Sequence, residues 1–396
     1  MPRIVIIGAG AAGIALAQAL AKDLKPSDNT EVIVLEKSKY YYYTIGTPRA
    51  YVEESFTKNL FIPYDNAIPK EASSYVKIVR AVVVRIVGDS KAVTYRKIGD
   101  NDEEVAGSDT TLSYDYLVIA TGSSYTVPIK QDESVNSRAD TEYKLQEVRQ
   151  QIQKAQRILI VGGGAVGCEV AGDIAAKYPN KSVTILEAHD KLIASNNLRD
   201  KFYDKLNHSL AKLKIKVILG ERLPTRLTGN SFQRQTLVTD KGTRIESDIQ
   251  LLCGGFSPVA ELVQEMDASL VDQRGFIKVN DRFQVASQRY GHVFALGDAS
   301  NHPSPKLAFI AGQQGAFLAK ELVAVLRKKQ PDFTNAFPKV ETEAMILPLG
   351  PNGGVSQLPV WGGLVFGDFL TRTLKSKDFF AGKAWSNFGL TMPASN

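Results

Sequence analysis

Two stretches of this 396-residue chain, IIGAGAAGIALA at Ile6–Ala17 and VGGGAVGCEVAG at Val161–Gly172, carry the same GxGxxG pattern. Each follows a short run of apolar, mostly β-branched residues and leads into a run of small residues that favours a helix. A second apolar run then ends in a glutamate, at Glu36 in the first copy and at Glu187 in the second. The sequence therefore predicts one β-α-β unit that occurs twice.

The three glycines of this pattern have separate roles. The first allows the tight turn out of the strand, the second lets a diphosphate approach the backbone, and the third lets the helix lie close to the sheet. The exposed N–H groups at the start of the helix then face the anionic diphosphate. We therefore expect one dinucleotide at each turn. The predicted contacts are Gly8, Gly10 and Gly13 in the first copy and Gly162, Gly164 and Gly167 in the second.

An acidic residue ends the second strand of each unit. A carboxylate at this position, here Glu36 or Glu187, accepts hydrogen bonds from the ribose hydroxyls of an adenosine. It also repels a 2′-phosphate, and no arginine stands beside Glu187 to reverse that preference. The second site is therefore predicted to prefer NADH over NADPH.

Two shorter patterns each end a strand with small residues. The ATG at Ala120–Gly122 would let the backbone approach a ligand. In the GD pair, Asp298 could accept hydrogen bonds from a sugar-alcohol chain. An ordinary turn after a strand explains either pattern equally well. Their meaning therefore depends on where they lie relative to the two glycine turns.

The composition is that of a globular protein, with 44% hydrophobic residues, 23% charged residues and a net charge of +6. At roughly 100–200 residues per domain, two or three domains are expected. Acidic and basic residues are interspersed, which favours a solvated surface; a basic patch for anionic lipid or nucleic acid is the alternative. The two cysteines, Cys168 and Cys253, form no CxxC, which excludes a zinc ribbon or a disulfide framework and fits a reducing compartment. No metal site is predicted.

No targeting signal is predicted at the N-terminus. The first glycine turn begins at Gly8, which leaves no room for a cleavable targeting sequence, and Pro2 is incompatible with N-myristoylation. No continuous apolar run reaches the ~18 residues of a spanning helix. We therefore expect a cytoplasmic protein, and a peripheral position on a mitochondrial or lipid-droplet surface is the second expectation.

The complete set of motifs resembles the two-dinucleotide-binding flavoprotein superfamily, and nearly the whole chain resembles its apoptosis-inducing-factor-like, ferroptosis-suppressor family. The closer likeness rests on TPRA, VIATGS, GGGAVGCEVAG, TDKGT, VFALGD, PKLAFIAG, GPNGGVSQLP and LKSKDFF. It implies an α/β fold with two Rossmann-like domains. The FAD-binding domain would comprise residues 1–125 and 275–335, the inserted NAD(H)-binding domain residues 126–274, and a small α+β C-terminal domain residues 336–396. The family is similar to type II NADH:quinone oxidoreductases.

The resemblance also implies roles for residues outside the glycine pattern. With the first turn, non-covalent FAD would be held by Ala11, Ala12, Glu36, Arg49, Val83, Thr121, Gly122 and Asp298; with the second, NADH would be held by Glu187 and Gly254. Glu169 would lie near the nicotinamide, and Lys306 beside the flavin ring, where a cation stabilises a developing anion. Simpler explanations stay open: a surface position for Arg49, a core position for Val83, a helix-dipole contact for Glu169, and a capping or solvated Lys306.

The chemistry is that of an oxidoreductase without a sulfur relay. Relatives that use a cysteine relay carry it soon after the first β-α-β unit or, as a pair, in the insert; after the first unit this chain reads KSKYYYYTIGTPRAYVEES, which has no cysteine. The resemblance thus implies hydride transfer from NADH to FAD, and electron transfer onward to a quinone of the ubiquinone type. Two alternatives stay open: an NADH-gated cell-death effector that binds nucleic acid or a protein partner, and a ferredoxin, rubredoxin or monodehydroascorbate reductase. Nucleic acid is the less favoured partner because no long Lys/Arg cluster occurs, and the oligomeric state is not predicted.

The C-terminal segment FGDFLTRTLKSKDFFAGKAWSNF, residues 366–388, mixes basic and aromatic residues. Such a mixture suits a membrane interface, which a lipid-dissolved quinone would require. Its basic residues are Arg372, Lys375, Lys377 and Lys383, and its aromatic residues are Phe366, Phe369, Phe379, Phe380, Trp385 and Phe388. We predict a peripheral membrane contact through this tail; the alternative is that the aromatic side chains pack against the flavin domain.

Overall fold

The computed structural model describes residues 1–132, 134, 137–328 and 332–394. Its strands are, in chain order, β1 (Arg3–Ile7), β2 (Glu31–Glu36), β3 (Tyr40–Tyr42), β4 (Phe61–Pro63), β5 (Val76–Val87), β6 (Ala92–Lys97), β7 (Thr110–Ser113), β8 (Tyr116–Ile119), β9 (Ser123–Ser124), β10 (Arg157–Val161), β11 (Ser182–Glu187), β12 (Lys216–Leu219), β13 (Gln235–Val238), β14 (Arg244–Ser247), β15 (Ile249–Leu252), β16 (Ser257–Pro258), β17 (Val293–Ala295), β18 (Met345–Pro348), β19 (Gly354–Leu358) and β20 (Leu364–Phe366). Its α-helices are α1 (Ala11–Asp23), α2 (Thr47–Ala50), α3 (Arg138–Lys154), α4 (Ala165–Lys177), α5 (Asp200–Lys212), α6 (Glu261–Met266), α7 (Ala308–Leu326), α8 (Asp368–Thr371) and α9 (Ala381–Asn387). A π-helical turn, Arg372–Ser376, follows α8.

The first sheet has the strand order β17-β8-β1-β2-β5-β6-β7. Its strands from β17 to β5 are parallel, and β5, β6 and β7 continue as an antiparallel meander. Covered strands of this kind are apolar on both faces, and Ile4–Ile7 is buried along its whole length. Helices α1 and α7 pack so closely that a Cβ on Gly315 would lie 2.4 Å from the carbonyl oxygen of Ala12. The carboxyl ends of β1, β8 and β17 therefore meet at one edge, beside the first glycine turn.

The second sheet is entirely parallel, with the order β12-β11-β10-β15. Helix α4 follows β10 in the way that α1 follows β1, so the β-α-β unit occurs twice. The predicted α/β fold with two Rossmann-type domains is confirmed. Strand β17 returns to the first sheet after the second sheet is complete, and the exact limits of each domain stay a prediction.

A third, antiparallel sheet, β18-β19-β20, belongs to the C-terminal part of the chain. It packs on the second domain, because a Cβ on Gly172 of α4 would lie 2.7 Å from the Cα of Leu349. One hydrophobic cluster joins all three parts: it includes Tyr51 from the first, Ile160 from the second and Phe379 from the third. The three parts thus share a continuous core around α4.

Helix α7 is the one helix in the described part of the chain that is long and apolar enough to cross a membrane by length and composition. Half of its most apolar window is buried inside the protein. Its buried face includes the polar side chain Gln314, which donates to Ser304 and accepts from the backbone N–H of Gly297. These contacts make α7 a core helix of the first domain.

Candidate functional site

The first glycine turn is built around close backbone approaches. Gly8 has φ of +92°, and a Cβ there would lie 2.6 Å from the carbonyl oxygen of Ala120. A Cβ on Gly13 would lie 2.0 Å from the oxygen of Gly8. In contrast, a Cβ on Gly10 would meet nothing within 4 Å, so this glycine borders open space. The space lies before α1, whose first residues, Ala11 and Ala12, have no acidic neighbour and no capping side chain.

The second turn repeats this geometry. Gly162 has φ of +113°, and a Cβ there would lie 2.6 Å from the oxygen of Cys253 and 2.8 Å from the nitrogen of Gly254. A Cβ on Gly167 would lie 1.9 Å from the oxygen of Gly162, whereas one on Gly164 would meet nothing within 4 Å. The uncapped N–H groups of α1 and α4 are free to bind an anion. Each turn therefore fits a dinucleotide diphosphate.

The acidic residue of each unit accepts two hydrogen bonds from backbone N–H groups at matching positions. In the first domain, Glu36 Oε2 accepts from Ala9 N (2.7 Å) and Oε1 from Ser38 N (2.8 Å). In the second, Glu187 Oε2 accepts from Gly163 N (2.6 Å) and Oε1 from His189 N (2.9 Å). Each carboxylate is thus oriented before any ribose arrives, as the position at the end of β2 or β11 predicts.

The surroundings of these two carboxylates push their pKa values in opposite directions. Burial raises the pKa of Glu36, and the N–H groups of Ser38 and Ala9 offset part of this effect. Burial also acts on Glu187, but hydrogen bonds from the backbone of His189 and Gly163 and from the His189 ring outweigh it, and the pKa is lowered. Glu187 therefore stays an anion more readily than Glu36 does.

The ATG and GD patterns come together at the edge of the first sheet. Asp298 lies in a 3₁₀ turn, Gly297–Ala299. Its Oδ2 accepts from Ser123 Oγ (2.7 Å) and lies 3.3 Å from Lys130 Nζ. Thr121 Oγ1 donates to the carbonyl of Val259 at 2.5 Å. Asp298 and Thr121 thus lie at the carboxyl edge that holds the first glycine turn, and their FAD contacts stay predictions.

Gly122 and Val83 both lie in the first domain, Gly122 between β8 and β9 and Val83 within β5. Gly122 has φ of +75°, and a Cβ there would meet nothing within 4 Å. Its carbonyl accepts from Val259 N at 3.0 Å. Val83 lies in β5 opposite Tyr95, directly before a register shift in the β5–β6 pairing. An adenine contact through the Val83 backbone stays a prediction.

Lys306 is engaged by its own loop. Its ammonium donates to the carbonyl oxygens of Ser300 (2.7 Å), His302 (3.1 Å) and Gly297 (3.3 Å). Burial lowers its pKa to about 8, although the nearby Asp298 opposes the shift. Because an ammonium has three donors, a direct flavin contact would require Lys306 to give up one of these bonds. Its geometry is that of a residue that shapes the loop around Asp298.

Arg49 lies where the three parts of the chain meet. It is 5% exposed, its Nε donates to Asp173 Oδ1 of α4 at 2.8 Å, and its Nη2 donates to the carbonyl of Ser376 at 2.9 Å. Its guanidinium carbon lies 5.0 Å from the centre of the Phe379 ring. Burial raises the pKa of Asp173 to about 6, against the effect of Arg49. A surface position is therefore ruled out for Arg49, whose FAD contact stays a prediction.

Glu169 has a partner that the sequence analysis did not assign. Lys375, in the π-helical turn, donates to Glu169 Oε1 at 2.8 Å and to the carbonyl of Ile346 at 3.1 Å. Burial raises the pKa of Glu169, and Lys375 opposes this shift. A glutamate favoured merely by the helix dipole would face solvent, whereas Glu169 is buried in an ion pair.

Three residues of this site, Lys130, Asp173 and Lys375, were not predicted. Asp173 lies one turn after Glu169 on α4, so an acid at this spacing was the available signal. Lys375 carried the weaker signal of a basic residue within the basic and aromatic tail. Lys130 carried none, because its link to Asp298 spans 168 residues.

The C-terminal tail is largely packed against the protein, as the alternative explanation proposed. Phe379, Trp385 and Phe388 are buried, and the Trp385 indole donates to the carbonyl of Asn59 at 3.0 Å. These three rings are therefore not available to a membrane in this structure. The exposed aromatic side chains of the C-terminal part are Trp361 (87% exposed) and Phe369 (85%).

Both cysteines are buried in the second domain. Cys168 donates weakly to the carbonyl of Gly163 at 3.7 Å. Burial raises the pKa of the Cys168 thiol, and it raises that of Cys253 to about 12. Neither thiol is ionised at neutral pH, so neither is activated as a nucleophile. Within the described residues, no group of three or more His, Cys, Asp or Glu side chains could hold a metal ion.

Comparison with known proteins agrees with this geometry. Residues 2–315 match the family described as "Pyridine nucleotide-disulphide oxidoreductase". The chain is 31% identical over 395 residues to apoptosis-inducing factor homolog B of Dictyostelium discoideum, which covers 96% of this chain and 94% of that protein. It is 26% identical over 393 residues to ferroptosis suppressor protein 1 of Homo sapiens, which covers 98% of this chain and 96% of that protein.

Two solved structures show the same fold. The sulfide:quinone oxidoreductase of Aquifex aeolicus superposes with a TM-score of 0.74 at 15% identity and covers 98% of this chain and 92% of its own. The NADH-bound water-forming NADH oxidase of Lactobacillus brevis superposes with a TM-score of 0.62 at 21% identity, covering 90% of this chain and 75% of its own. The chain therefore belongs to the pyridine nucleotide-disulphide oxidoreductase family, as an NAD(P)H- and FAD-dependent enzyme related to apoptosis-inducing factor homologues and ferroptosis suppressor protein 1.

Proposed function

We propose that this enzyme is an NADH:quinone oxidoreductase, in which hydride passes from NADH to FAD and electrons pass directly to a quinone of the ubiquinone type. The placement of the thiols carries the proposal. The chain has two cysteines, and both are buried and un-ionised beside the second glycine turn. Electrons therefore have no sulfur relay within the chain, so an external acceptor must meet the flavin itself.

The residues of the first turn and of the edge around Asp298 fit FAD. Bound there, FAD supplies a centre that accepts two electrons as hydride and can release them one at a time. The chain's own contribution is position: the N–H groups at the start of α1 would hold the diphosphate, and Asp298 would accept from the ribityl chain. The second turn, with Gly164 and Glu187, would hold the nicotinamide coenzyme. Proximity of the two rings supplies most of the catalysis, because hydride transfer needs little side-chain chemistry.

The Glu169–Lys375 pair is suited to the proton demand of quinone reduction. A quinone takes up two protons as it becomes a hydroquinone, so a proton donor is needed at its oxygens. Lys375 donates to the Glu169 carboxylate, and burial raises the pKa of Glu169. Burial also raises the pKa of Tyr43, whose hydroxyl donates to the carbonyl of Phe379 at 2.8 Å, and the charge of Glu169 adds to this shift. We infer that this group holds and delivers protons on the acceptor side.

The preference for NADH over NADPH rests on Glu187. Its carboxylate is held by two N–H groups and its pKa is lowered, so it presents a negative charge where a 2′-phosphate would lie. The charge costs NADPH affinity but leaves the two hydroxyls of NADH free to donate. We propose NADH as the physiological reductant on this ground.

We propose that the membrane contact is made by the β19–β20 turn and by the exposed Phe369 of the tail, since Phe379, Trp385 and Phe388 are buried. Trp361 lies in the turn between β19 and β20, and Phe369 lies in α8. Basic residues flank both: a Cβ on Gly362 would lie 2.9 Å from Arg199 Nη2, and Lys212 pairs with Asp368 at 3.3 Å. Aromatic side chains among cations suit the surface of an anionic membrane. Such a contact would give peripheral access to a lipid-dissolved quinone, with the protein on the cytoplasmic side of a mitochondrial or lipid-droplet surface.

The test is spectroscopic. The purified protein is expected to show a flavin spectrum that bleaches on anaerobic addition of NADH and recovers on addition of a short-chain ubiquinone at about 1 s⁻¹ or faster, the lower end of ordinary enzyme rates. Parallel additions of ferredoxin, monodehydroascorbate and oxygen test the other acceptors. Recovery that is fast with one of these and slow with every quinone would overturn the assignment of the acceptor.

A further inference from the structure

Glu36 in the first domain and Glu187 in the second are held by matching hydrogen bonds, but one neighbouring side chain differs between the two domains. Glu36 and Glu187 each accept one N–H from the glycine turn and one from the residue two positions on. In the first domain that residue is Ser38, whose hydroxyl accepts from the backbone of Tyr40. In the second domain it is His189, so an imidazole lies at the carboxylate that receives the adenosine ribose.

The His189 ring is in direct contact with the acid. Its Nδ1 lies 2.6 Å from Glu187 Oε1, and the same oxygen accepts the His189 backbone N–H. The backbone carbonyl of His189 accepts from Gly220 N at 2.7 Å, which fixes the loop. The His189 side chain is 69% exposed, whereas that of Glu187 is 11% exposed. The ring therefore covers the outer side of the carboxylate and is itself open to solvent.

The two charge states of this ring present different atoms to a ligand. With Nδ1–H donated to Glu187, a neutral imidazole keeps a lone pair at Nε2 and repels an anion beside the carboxylate. A protonated ring has an N–H at Nε2 and neutralises the charge of Glu187. An adenosine 2′-phosphate bound at this edge would meet a net negative pair in the first state and a neutral pair with an available donor in the second.

We propose that His189 is a specificity-determining residue, and that its charge state sets how strongly the second site discriminates against a 2′-phosphorylated coenzyme. The inference rests on the proposed function insofar as the second glycine turn receives NADH at Glu187. Discrimination is strongest while the ring is neutral and relaxes when the ring is protonated.

The other charged groups around this edge are carboxylates, lysines and arginines. On the same loop are Asp190 and Lys191, and the Lys191 Nζ lies 5.0 Å from the centre of the Tyr203 ring. On the facing segments, Glu221 accepts a hydrogen bond from Thr239, and Arg222 pairs with Asp240. Lys241 lies beside Gly220. Hydrogen bonds from Thr239 and Thr243 lower the pKa of Glu221, so its charge is constant in this range. In their unperturbed forms, carboxylates, lysines and arginines keep their charge between pH 5 and 8, whereas an imidazole does not.

The ligand brings its own titration, which the experiment must separate. The second pKa of a phosphate monoester is about 6, so a 2′-phosphate loses charge in the same range. His189→Asn provides the matched control, because an Asn amide can still donate to Glu187 but does not titrate. Any pH dependence that remains in this variant belongs to the phosphate, and the excess in the wild type belongs to His189.

The experiment measures binding of 5′-AMP and of adenosine 2′,5′-bisphosphate to the FAD-loaded enzyme by calorimetry between pH 5.5 and 8.0. The first glycine turn is filled by FAD, so the two nucleotides report on the second. From pH 8.0 to 5.5, the ratio of their dissociation constants is expected to shift toward the bisphosphate about three- to tenfold more in the wild type than in H189N, the size of one unit charge near the ligand. In a Glu187→Gln variant the ratio is expected to favour the bisphosphate already at pH 8.0.

Two results would overturn the inference: parallel pH profiles in the wild type and H189N, or no binding of either nucleotide at any pH. The result does not depend on the electron acceptor. If every quinone fails to reoxidise the flavin while the nucleotide ratio follows His189, the inference stands and the acceptor is misassigned. If quinone reduction is fast while the profiles are parallel, the proposed function stands and His189 has no role in discrimination.

Discussion

The ammonium of Lys375 lies 2.8 Å from the Glu169 carboxylate, although 206 residues separate the two in the chain. Both side chains are nearly buried, with exposed fractions of 13% and 7%. The pair links the helix that follows the second glycine turn to the π-helical turn near the C-terminus.

Replacing Lys375 by Met should destabilise the protein, because it leaves Glu169 buried without its counter-charge. Loss of one partner of a buried pair costs about 3–5 kcal/mol. The free energy of unfolding, measured by urea titration of the FAD-loaded enzyme, checks this value. The exposed Lys377, two residues on, gives the matched control Lys377→Met, with an expected change within about 0.5 kcal/mol.

Replacing both partners tests whether the cost comes from the unpaired charge. Glu169→Gln with Lys375→Met should recover part of the stability lost in Lys375→Met alone, because no unpaired charge is then left buried. If the double variant is less stable than the sum of the single losses, the two residues do not form the pair described here.

The stability contributed by Asp173 should fall as pH rises. The unfolded chain releases this proton near pH 3.8 and the folded chain near 6, so the folded state binds more protons between these values. Relative to Asp173→Asn, the wild type should lose about 3 kcal/mol between pH 4 and 7 and then level off. The Arg49 charge left unpaired in the variant adds an offset that does not depend on pH. The exposed Asp204→Asn is the control, and a flat wild-type-minus-D173N difference would contradict the prediction.

Gly164→Ala should separate coenzyme binding from folding. A Cβ there meets no protein atom within 4 Å and would occupy the space predicted for the diphosphate. We expect an unchanged melting temperature and flavin spectrum, and a dissociation constant for NADH raised about tenfold or more, which corresponds to ~1.4 kcal/mol. Gly229→Ala, also in open space but outside the turn, should leave the constant unchanged. Unaltered NADH affinity in G164A would show that the coenzyme binds elsewhere.

Glu187→Ser should raise the use of NADPH relative to NADH. Removing one charge about 4 Å from the 2′-phosphate in a solvated site is worth about 1 kcal/mol, or roughly fivefold in the ratio of kcat/KM values. Steady-state assays with a short-chain quinone at pH 8.0 measure the ratio. Glu246→Ser, at an exposed carboxylate that pairs with Arg157, is the control. An unaltered ratio in E187S would refute the ribose contact.

Trp361→Ser combined with Phe369→Ser should weaken sedimentation with anionic vesicles. Each side chain is more than 80% exposed here, and transfer of a large aromatic group into an apolar phase is worth about 1.5–3 kcal/mol, so partition should fall about tenfold or more. Tyr143→Ser removes an aromatic ring that is 65% exposed on α3 and serves as the control. Equal sedimentation of all three proteins would defeat the proposed contact. Deleting the tail is a poorer test, since it removes the buried Phe379 and Trp385.

The sequence predicts the fold well where a local pattern has one structural meaning. The GxGxxG turns, the strands that precede them, and the acids Glu36 and Glu187 all combine a short spacing with a backbone conformation that few residues can adopt. The repeat of the unit then predicts the second sheet. These features are decided within about 30 residues, so a single sequence carries them.

The other residues of the candidate site depend on contacts that no spacing encodes. Arg49 meets Asp173 of α4 and the carbonyl of Ser376, which lies 327 residues further on. Lys306 has a sequence context typical of a solvated lysine, yet its ammonium donates to three carbonyls of its own loop. Phe379 has the character of a membrane-facing ring, but it is buried. The contacts of Arg49 and Phe379 depend on how the C-terminal part packs on α4, whereas those of Lys306 depend on how its own loop folds.

The contacts of Arg49 have a mechanical consequence. One guanidinium joins α2 of the first domain, α4 of the second and the segment that precedes α9. Rotation of the second domain relative to the first would have to break this three-way link and the neighbouring Glu169–Lys375 pair together. These contacts oppose rotation of the second domain relative to the first, so we expect little domain closure when the coenzyme binds.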